Sequence, residues 1–142
     1  MLAQEVFAVL SGGWKFRRQI SDFGVVEGKA SFAQEGECSS YSESGILEHV
    51  GGKSFVTEKE YQYFYNSNKK VIEVYFVQAE LRAGLFCELD FFQGRAVARH
   101  ECGRDVYEVT YWVKDESYFE IFYRVRGAKK KYMSMTNFLR VS

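Results

Sequence analysis

The feature that most limits how this chain can fold is a two-residue period of apolar and aromatic side chains, interrupted by turn residues about every eight to twelve positions. Side chains two apart share one face of a strand, so each run offers one face to a core and one to water. In the first run Trp14, Phe16, Arg18 and Ile20 alternate with Lys15, Arg17 and Gln19. Ser21-Asp22-Phe23-Gly24 has turn chemistry, and Val26, Gly28, Ala30 and Phe32 form the inner set of a second run. A loop over 34–39 leads to a third, with Tyr41, Glu43, Gly45 and Leu47 inside, and Gly51-Gly52 signals a hairpin into residues 55–65. Asn66-Ser67-Asn68 turns the chain into 71–77, and further runs cover 85–92, 95–102, 105–113, 118–125 and 132–140. No helix of crossover length separates them, which excludes a parallel sheet. An all-β, antiparallel, up-and-down barrel of about eight to ten strands is expected, because closure removes exposed sheet edges. Residues 1–142 are expected to form one domain, since no linker, repeat or low-complexity stretch divides them.

One segment keeps a different period. Leu2, Val6, Val9 and Leu10 are spaced by three and four, and Ser11-Gly12-Gly13 follows, which predicts a short helix that closes one end of the barrel. Thirteen Phe, ten Tyr and two Trp make 18% of the chain, and aromatic side chains favour half-buried pleated surfaces. Proline is absent, so Gly, Asn, Asp and Ser must supply the turns.

Charge and cysteine content exclude several function classes. With a net charge of zero, no global field draws the protein to nucleic acid or to an anionic membrane, and neither is expected as a partner. No apolar run reaches the roughly 18 residues that span a bilayer. The first ten residues hold Gln4 and Glu5 and no basic n-region, so no secretory leader is expected. Cys38, Cys87 and Cys102 are too few and too irregular for a disulfide framework, which points to a reduced, cytoplasmic setting.

The densest chemistry lies in His100-Glu101-Cys102-Gly103-Arg104-Asp105-Val106-Tyr107. A turn at Cys102-Gly103-Arg104 would bring His100 and Cys102 onto the same surface as Asp105 and Tyr107. Three roles are open to this cluster. In the first, Cys102 is a small buried hydrophobe, Asp105 caps the turn and His100 pairs with Asp105. In the second, His100 and Tyr107 touch a ligand. In the third, His100 is a general acid or base oriented by Asp105 or Tyr107, a task that suits a histidine. Direct activation of Cys102 is disfavoured, because residues two apart on a strand are separated by about 7 Å. One histidine and one thiolate are too few for a metal site, and His49 falls in another turn, so no metal and no cofactor are expected.

Ligand-carrying barrels set a few polar anchors among apolar walls. If Trp14 faces inward, alternation brings Arg18 inward with it, and Glu43, Tyr61, Tyr63, His100, Tyr107, Arg124 and Tyr132 are its candidate companions as ligand-binding residues. A buried arginine needs a partner, which Glu43 or an anionic ligand can supply. Ion pairs between Arg18 and Glu43 or between Arg124 and Glu120 that merely close one barrel end are the alternative. The basic run Lys129-Lys130-Lys131 reads as a solvated hairpin tip, with phosphate contact as the less common role.

Five elements in order carry a family resemblance: Trp14-x-x-x-Arg18; Tyr41-x-Glu43-x-Gly45; Tyr61-x-Tyr63; His100-x-Cys102-x-x-Asp105-x-Tyr107; and Gly127 followed by Lys130-x-Tyr132 with Arg140. Gly13-Trp14 after a helical turn, with a basic residue near the last strand to stack on the indole, resembles the opening of lipocalins and other calycin barrels. Together the elements resemble an uncharacterised family of domains of unknown function, and the resemblance implies a calycin-like barrel without implying an activity. Departures from the family pattern are Lys59 where an arginine is usual, Cys87 where a histidine is common, and Gly127-Ala128-Lys129-Lys130-Lys131-Tyr132 without the usual proline and aspartate.

The expected function is binding of a small, partly apolar ligand, able to carry an anionic group, inside the barrel. An isomerase or lyase that uses His100 in the same cavity is the second hypothesis, and a protein-interaction module with exposed aromatic strand faces is the third.

Overall fold

The computed structural model describes residues 1–141, so only Ser142 of the expected 1–142 unit lies outside the described residues. Helix α1 (Ala3–Leu10) is followed by ten strands: β1 (Gly12–Ile20), β2 (Gly24–Glu35), β3 (Cys38–His49), β4 (Ser54–Asn66), β5 (Val71–Gln78), β6 (Leu81–Leu89), β7 (Arg95–Cys102), β8 (Asp105–Asp115), β9 (Tyr118–Arg126) and β10 (Lys131–Arg140). All neighbours are antiparallel, in the order β6-β5-β4-β3-β2-β1-β10-β9-β8-β7. The sheet curls until β6 and β7 lie side by side. A nearly closed barrel results, with no hydrogen-bonded ladder between those two strands among the described residues.

Strong curvature requires backbones to approach closely. Gly28 of β2 lies directly opposite Gly45 of β3, and a Cβ at Gly28 would sit 2.1 Å from the Ser44 carbonyl oxygen and 2.6 Å from the Gly45 Cα. Both strands therefore depend on glycine at this crossing, where it allows the sheet to fold over.

The two barrel ends differ. At the end covered by α1, Val6, Phe7 and Leu10 pack with Trp14, Phe32, Phe119 and Phe138 in one apolar core. The Phe119 and Phe138 rings stack with centroids 4.1 Å apart, and Trp14 meets Phe119 edge-on at 4.7 Å. The basic residue expected near the last strand is Arg140, whose guanidinium lies 4.1 Å from the Trp14 ring. The same guanidinium donates to the carbonyls of Glu116 (2.6 Å), Ser11 (2.8 Å) and Val9, while Trp14 Nε1 donates to the Leu10 carbonyl at 2.9 Å. Helix carbonyls without intrahelical partners are thus satisfied by the barrel itself, which fixes the plug.

Two segments differ from the sequence expectation. The loop expected over 34–39 shrinks to Gly36-Glu37, because alternation continues to Glu35 and resumes at Cys38. The strand expected over 85–92 runs instead over Leu81–Leu89, and Phe92 only bridges to Arg95. Its start was hidden because the β5–β6 turn is Ala79-Glu80, both at positive φ (51° and 64°), a conformation normally given to Asn and Gly. Register shifts in the β5–β6 ladder also bury Phe86 and Cys87 together, although they are adjacent in sequence.

Candidate ligand site in the barrel interior

At the end opposite α1, the interior opens into a cavity of about 840 Å³. The mouth is bordered by the β1–β2 turn at Ser21-Asp22-Phe23 and by Cys102, Lys130, Lys131 and Tyr132. Deeper walls come from Tyr61 of β4, Phe76 of β5, Phe86 of β6, His100 of β7, Tyr107 of β8 and Tyr123 of β9. This convergence follows from the period-two pattern, which sends one side chain in two from every strand inward. A second concavity, of about 870 Å³, lies on the outside of β1–β4 and is edged by Lys29, Ser31, Ser42, Ser44, Glu58 and Glu60. Glu43 and Lys59 line this concavity as well, and Trp14 is the one aromatic residue among those lining it.

A closed polar network borders the cavity. Arg18 donates from both terminal nitrogens to the two Glu43 oxygens at 2.8 and 2.9 Å, and its Nε donates to Thr136 Oγ1 at 2.7 Å. The Tyr41 hydroxyl donates to Glu43 Oε1 at 2.6 Å. Arg18 and Glu43 are both buried. Burial opposes both charges, but the mutual hydrogen bonds and attraction win: the Arg18 pKa is raised and that of Glu43 is lowered. The Arg18–Glu43 pair, the alternative to an anionic ligand on Arg18, is therefore formed, and both terminal nitrogens of the guanidinium are engaged.

Lys59 lines the same space and stands directly opposite Glu43 in the β3–β4 ladder. Lys59 is solvent-exposed, yet neighbouring protein partly desolvates it, and that desolvation lowers its pKa, with Arg18 adding to the effect and Glu43 opposing it. Among the described residues it makes no hydrogen bond or ion pair, because Glu43 is turned to Arg18 and Tyr41.

The structure separates the other expected site residues. Tyr61, His100, Tyr107 and Tyr132 line the cavity with Arg18, and burial pushes the Tyr61 hydroxyl up to about 12. Tyr63 lies below it, fully buried, with its hydroxyl hydrogen-bonded to that of Tyr111. Arg124 is a correction: it is exposed on the outside of β9, since Tyr123 and Val125 take the inward positions. No Arg124–Glu120 ion pair forms among the described residues.

The hairpin is also rearranged relative to expectation. The His100 ring packs against Phe86 (5.2 Å), Phe76 (5.6 Å) and Tyr107 (6.1 Å), and no hydrogen bond joins it to Asp105 among the described residues. Asp105 instead faces Lys130 at 4.0 Å and packs on Gly127, where a Cβ would lie 1.8 Å from its Oδ1. Lys130 also reaches the Tyr107 hydroxyl, and these two partners raise its pKa. Cys102, one of the buried alternatives, is exposed at the mouth.

Sequence reasoning missed Lys59 as a cavity residue, although the alternation through Tyr61 and Tyr63 carried the signal. It missed Tyr123 and Phe86 as walls, the latter because of the irregular β5–β6 register. Among the described residues, no group of three or more His, Cys, Asp and Glu is placed to hold a metal ion, and no helix is long and apolar enough to cross a membrane.

Comparison with solved structures supports the architecture. An S-type phycobiliprotein lyase from Guillardia theta is similar over 100% of this chain and 94% of its own, with a TM-score of 0.72 and 14% identity. A redesigned β-barrel bound to DFHBI is similar over 93% of this chain and 99% of its own, with a TM-score of 0.52 and 9% identity. A protein of unknown function of the DUF3598 family from Nostoc punctiforme is similar over 95% of this chain, with a TM-score of 0.58 and 11% identity; the match spans 49% of that protein. Identities this low establish the fold alone. No curated protein matches the sequence. The profile of the family of unknown function DUF6314 matches residues 10–140, which includes all five motif elements, and the chain belongs to that family.

Proposed function

We propose that this barrel binds a small, partly apolar, flat ligand in its open-ended cavity. The observation that carries the reading is the contrast between the two ends. One is filled by stacked aromatic rings under a helix, while the other leaves about 840 Å³ walled by Tyr61, Phe76, Phe86, His100, Tyr107 and Tyr123. A space of that size with aromatic walls and a few polar groups has the character of a small-molecule site. Rings that face an open volume offer stacking surfaces, which favours a conjugated or planar molecule. The similarity to a phycobiliprotein lyase and to a barrel bound to DFHBI supports the reading. His100 contributes chiefly an aromatic wall, packed on Phe86 and Tyr107, and among the described residues no hydrogen bond orients it as an acid or base.

The test is native mass spectrometry of freshly purified protein, followed by titration with the uncharged fluorophore N-phenyl-1-naphthylamine. Retained small-molecule mass or saturable fluorescence enhancement is expected. Ser134 is buried and lines the cavity, so Ser134→Phe should intrude on the space and weaken the enhancement while the far-UV spectrum stays that of a β-barrel. An unchanged titration in that variant would place the probe elsewhere and end the reading.

A further inference from the structure

Among the described residues, the cations that line the cavity differ in what answers them. Arg18 is closed by two hydrogen bonds to Glu43 and one to Thr136. Glu43 also accepts from the Tyr41 hydroxyl. Lys130 has Asp105 and Tyr107. Asp22 and Lys131 sit at the mouth. Among the described residues Lys59 combines an inward-facing strand position, opposite Glu43, with the lack of a direct partner, whereas Lys131, also without one, sits at the mouth; though solvent-exposed, Lys59 borders the aromatic walls that would seat the apolar part of a ligand.

We propose that Lys59 is the anion anchor of the cavity, taking the carboxylate or sulfonate of a planar organic anion that enters charged end first. This rests on the reading of the cavity as a ligand site and names the ligand class it accepts. Neither Arg18, already neutralised, nor Arg124, on the outer face, has this role. An ammonium in a partly desolvated space forms charge-assisted hydrogen bonds stronger than those at an open surface. The cost of enclosing the charge is visible in the lowered Lys59 pKa, and an incoming anion would reverse that shift. Binding of the anion is thereby linked to protonation of Lys59. Arg18 and Glu43 act on it directly, Tyr41 is bound to Glu43, Asp22, Tyr61, His100, Tyr107, Tyr123, Lys130, Lys131 and Tyr132 line the same cavity, and Lys29, Glu58 and Glu60 line the outer concavity that Lys59 also borders.

Two fluorophores with one ring skeleton test the assignment: 1-anilinonaphthalene-8-sulfonate, an anion, and uncharged N-phenyl-1-naphthylamine. Lys59→Met should weaken the sulfonate by about tenfold or more and leave the neutral probe within about twofold, the scale of one charge-assisted contact. Lys59→Arg should retain sulfonate binding, and Arg124→Ala should not change it. In the wild type, sulfonate affinity should fall as pH rises through the lowered Lys59 pKa, below the ordinary 10.5, and Lys59→Arg should flatten that fall while keeping every other titrating neighbour. Thermal midpoints of both variants at or above the wild-type value establish that they fold, and Lys59→Gln replaces the methionine variant if it does not. Sulfonate binding that survives loss of the amine, or a wild type that takes only the neutral probe, overturns the anchor and leaves the cavity reading standing. Failure of the wild type to bind either probe removes both.

Discussion

Arg18 and Glu43 contribute as a complete pair, and each is a liability alone. Replacing one member leaves a buried charge with little compensation, an effect of about 3–5 kcal/mol, whereas replacing both with apolar residues is far less costly. Glu43→Leu should therefore lower stability by about that amount in urea unfolding, and adding Arg18→Met should recover much of it. The pH dependence follows from the lowered Glu43 pKa. On acidification the unfolded chain takes up this proton before the folded one does, so stability declines towards acid. The pair's contribution is fully present above the ordinary value of 4.5 and is lost as pH falls through the lowered folded value. Thermal melts between neutral pH and about pH 3 should show a steeper loss for the wild type than for Glu43→Gln. At this scale Arg18 and Glu43 were legible from alternation alone, since both fall two residues from an aromatic core position. Arg124 was not, because Tyr123, Arg124 and Val125 leave the inward choice to packing, and Val125 and Tyr123 are the better core residues.

Individual strands and turns were legible where chemistry and geometry agreed. Trp14-x-Phe16-x-Arg18-x-Ile20 states its own inner face, and Gly51-Gly52 marks its hairpin. The β5–β6 turn was illegible because Ala79 and Glu80 lack the small or Asx side chains that positive φ favours. Left-handed backbone at a residue with a Cβ costs about 1–2 kcal/mol. Ala79→Asn combined with Glu80→Gly should therefore raise stability by about 1–2 kcal/mol, read as a higher denaturant midpoint with an unchanged slope. A loss of stability would mean that Ala79 and Glu80 make tertiary contacts worth more than the strain. The bulged ladder that buries both Phe86 and Cys87 lay beyond any periodic reading, since it is set by how two strands bend together.

At the scale of the molecule, ten antiparallel strands in a nearly closed barrel were readable from turn spacing, but the position of the seam was not. Where a barrel fails to close depends on strand tilt and stagger summed over the whole sheet. The outermost strands, β6 and β7, are consecutive in sequence, and their facing edges lack the protection of a ladder among the described residues. Amide exchange should accordingly be faster along β6 and β7 than along β1, β2 and β10, where each strand is paired on both sides. Uniform protection around the circumference would show that the seam is closed in solution. The opposite side of the barrel has a consequence in time. β10 is the strand that joins β9 to β1, with Trp14 facing Arg140 and Ile20 facing Ser134, so the sheet has no continuous middle until the last strand has been synthesised. During translation the strands β1 to β6 wait on the ribosome with the hydrogen-bonding edge of β1 unpaired. A transcript ending before Lys131 would leave that edge uncovered for good, turning the loss of one strand into a template for misassembly.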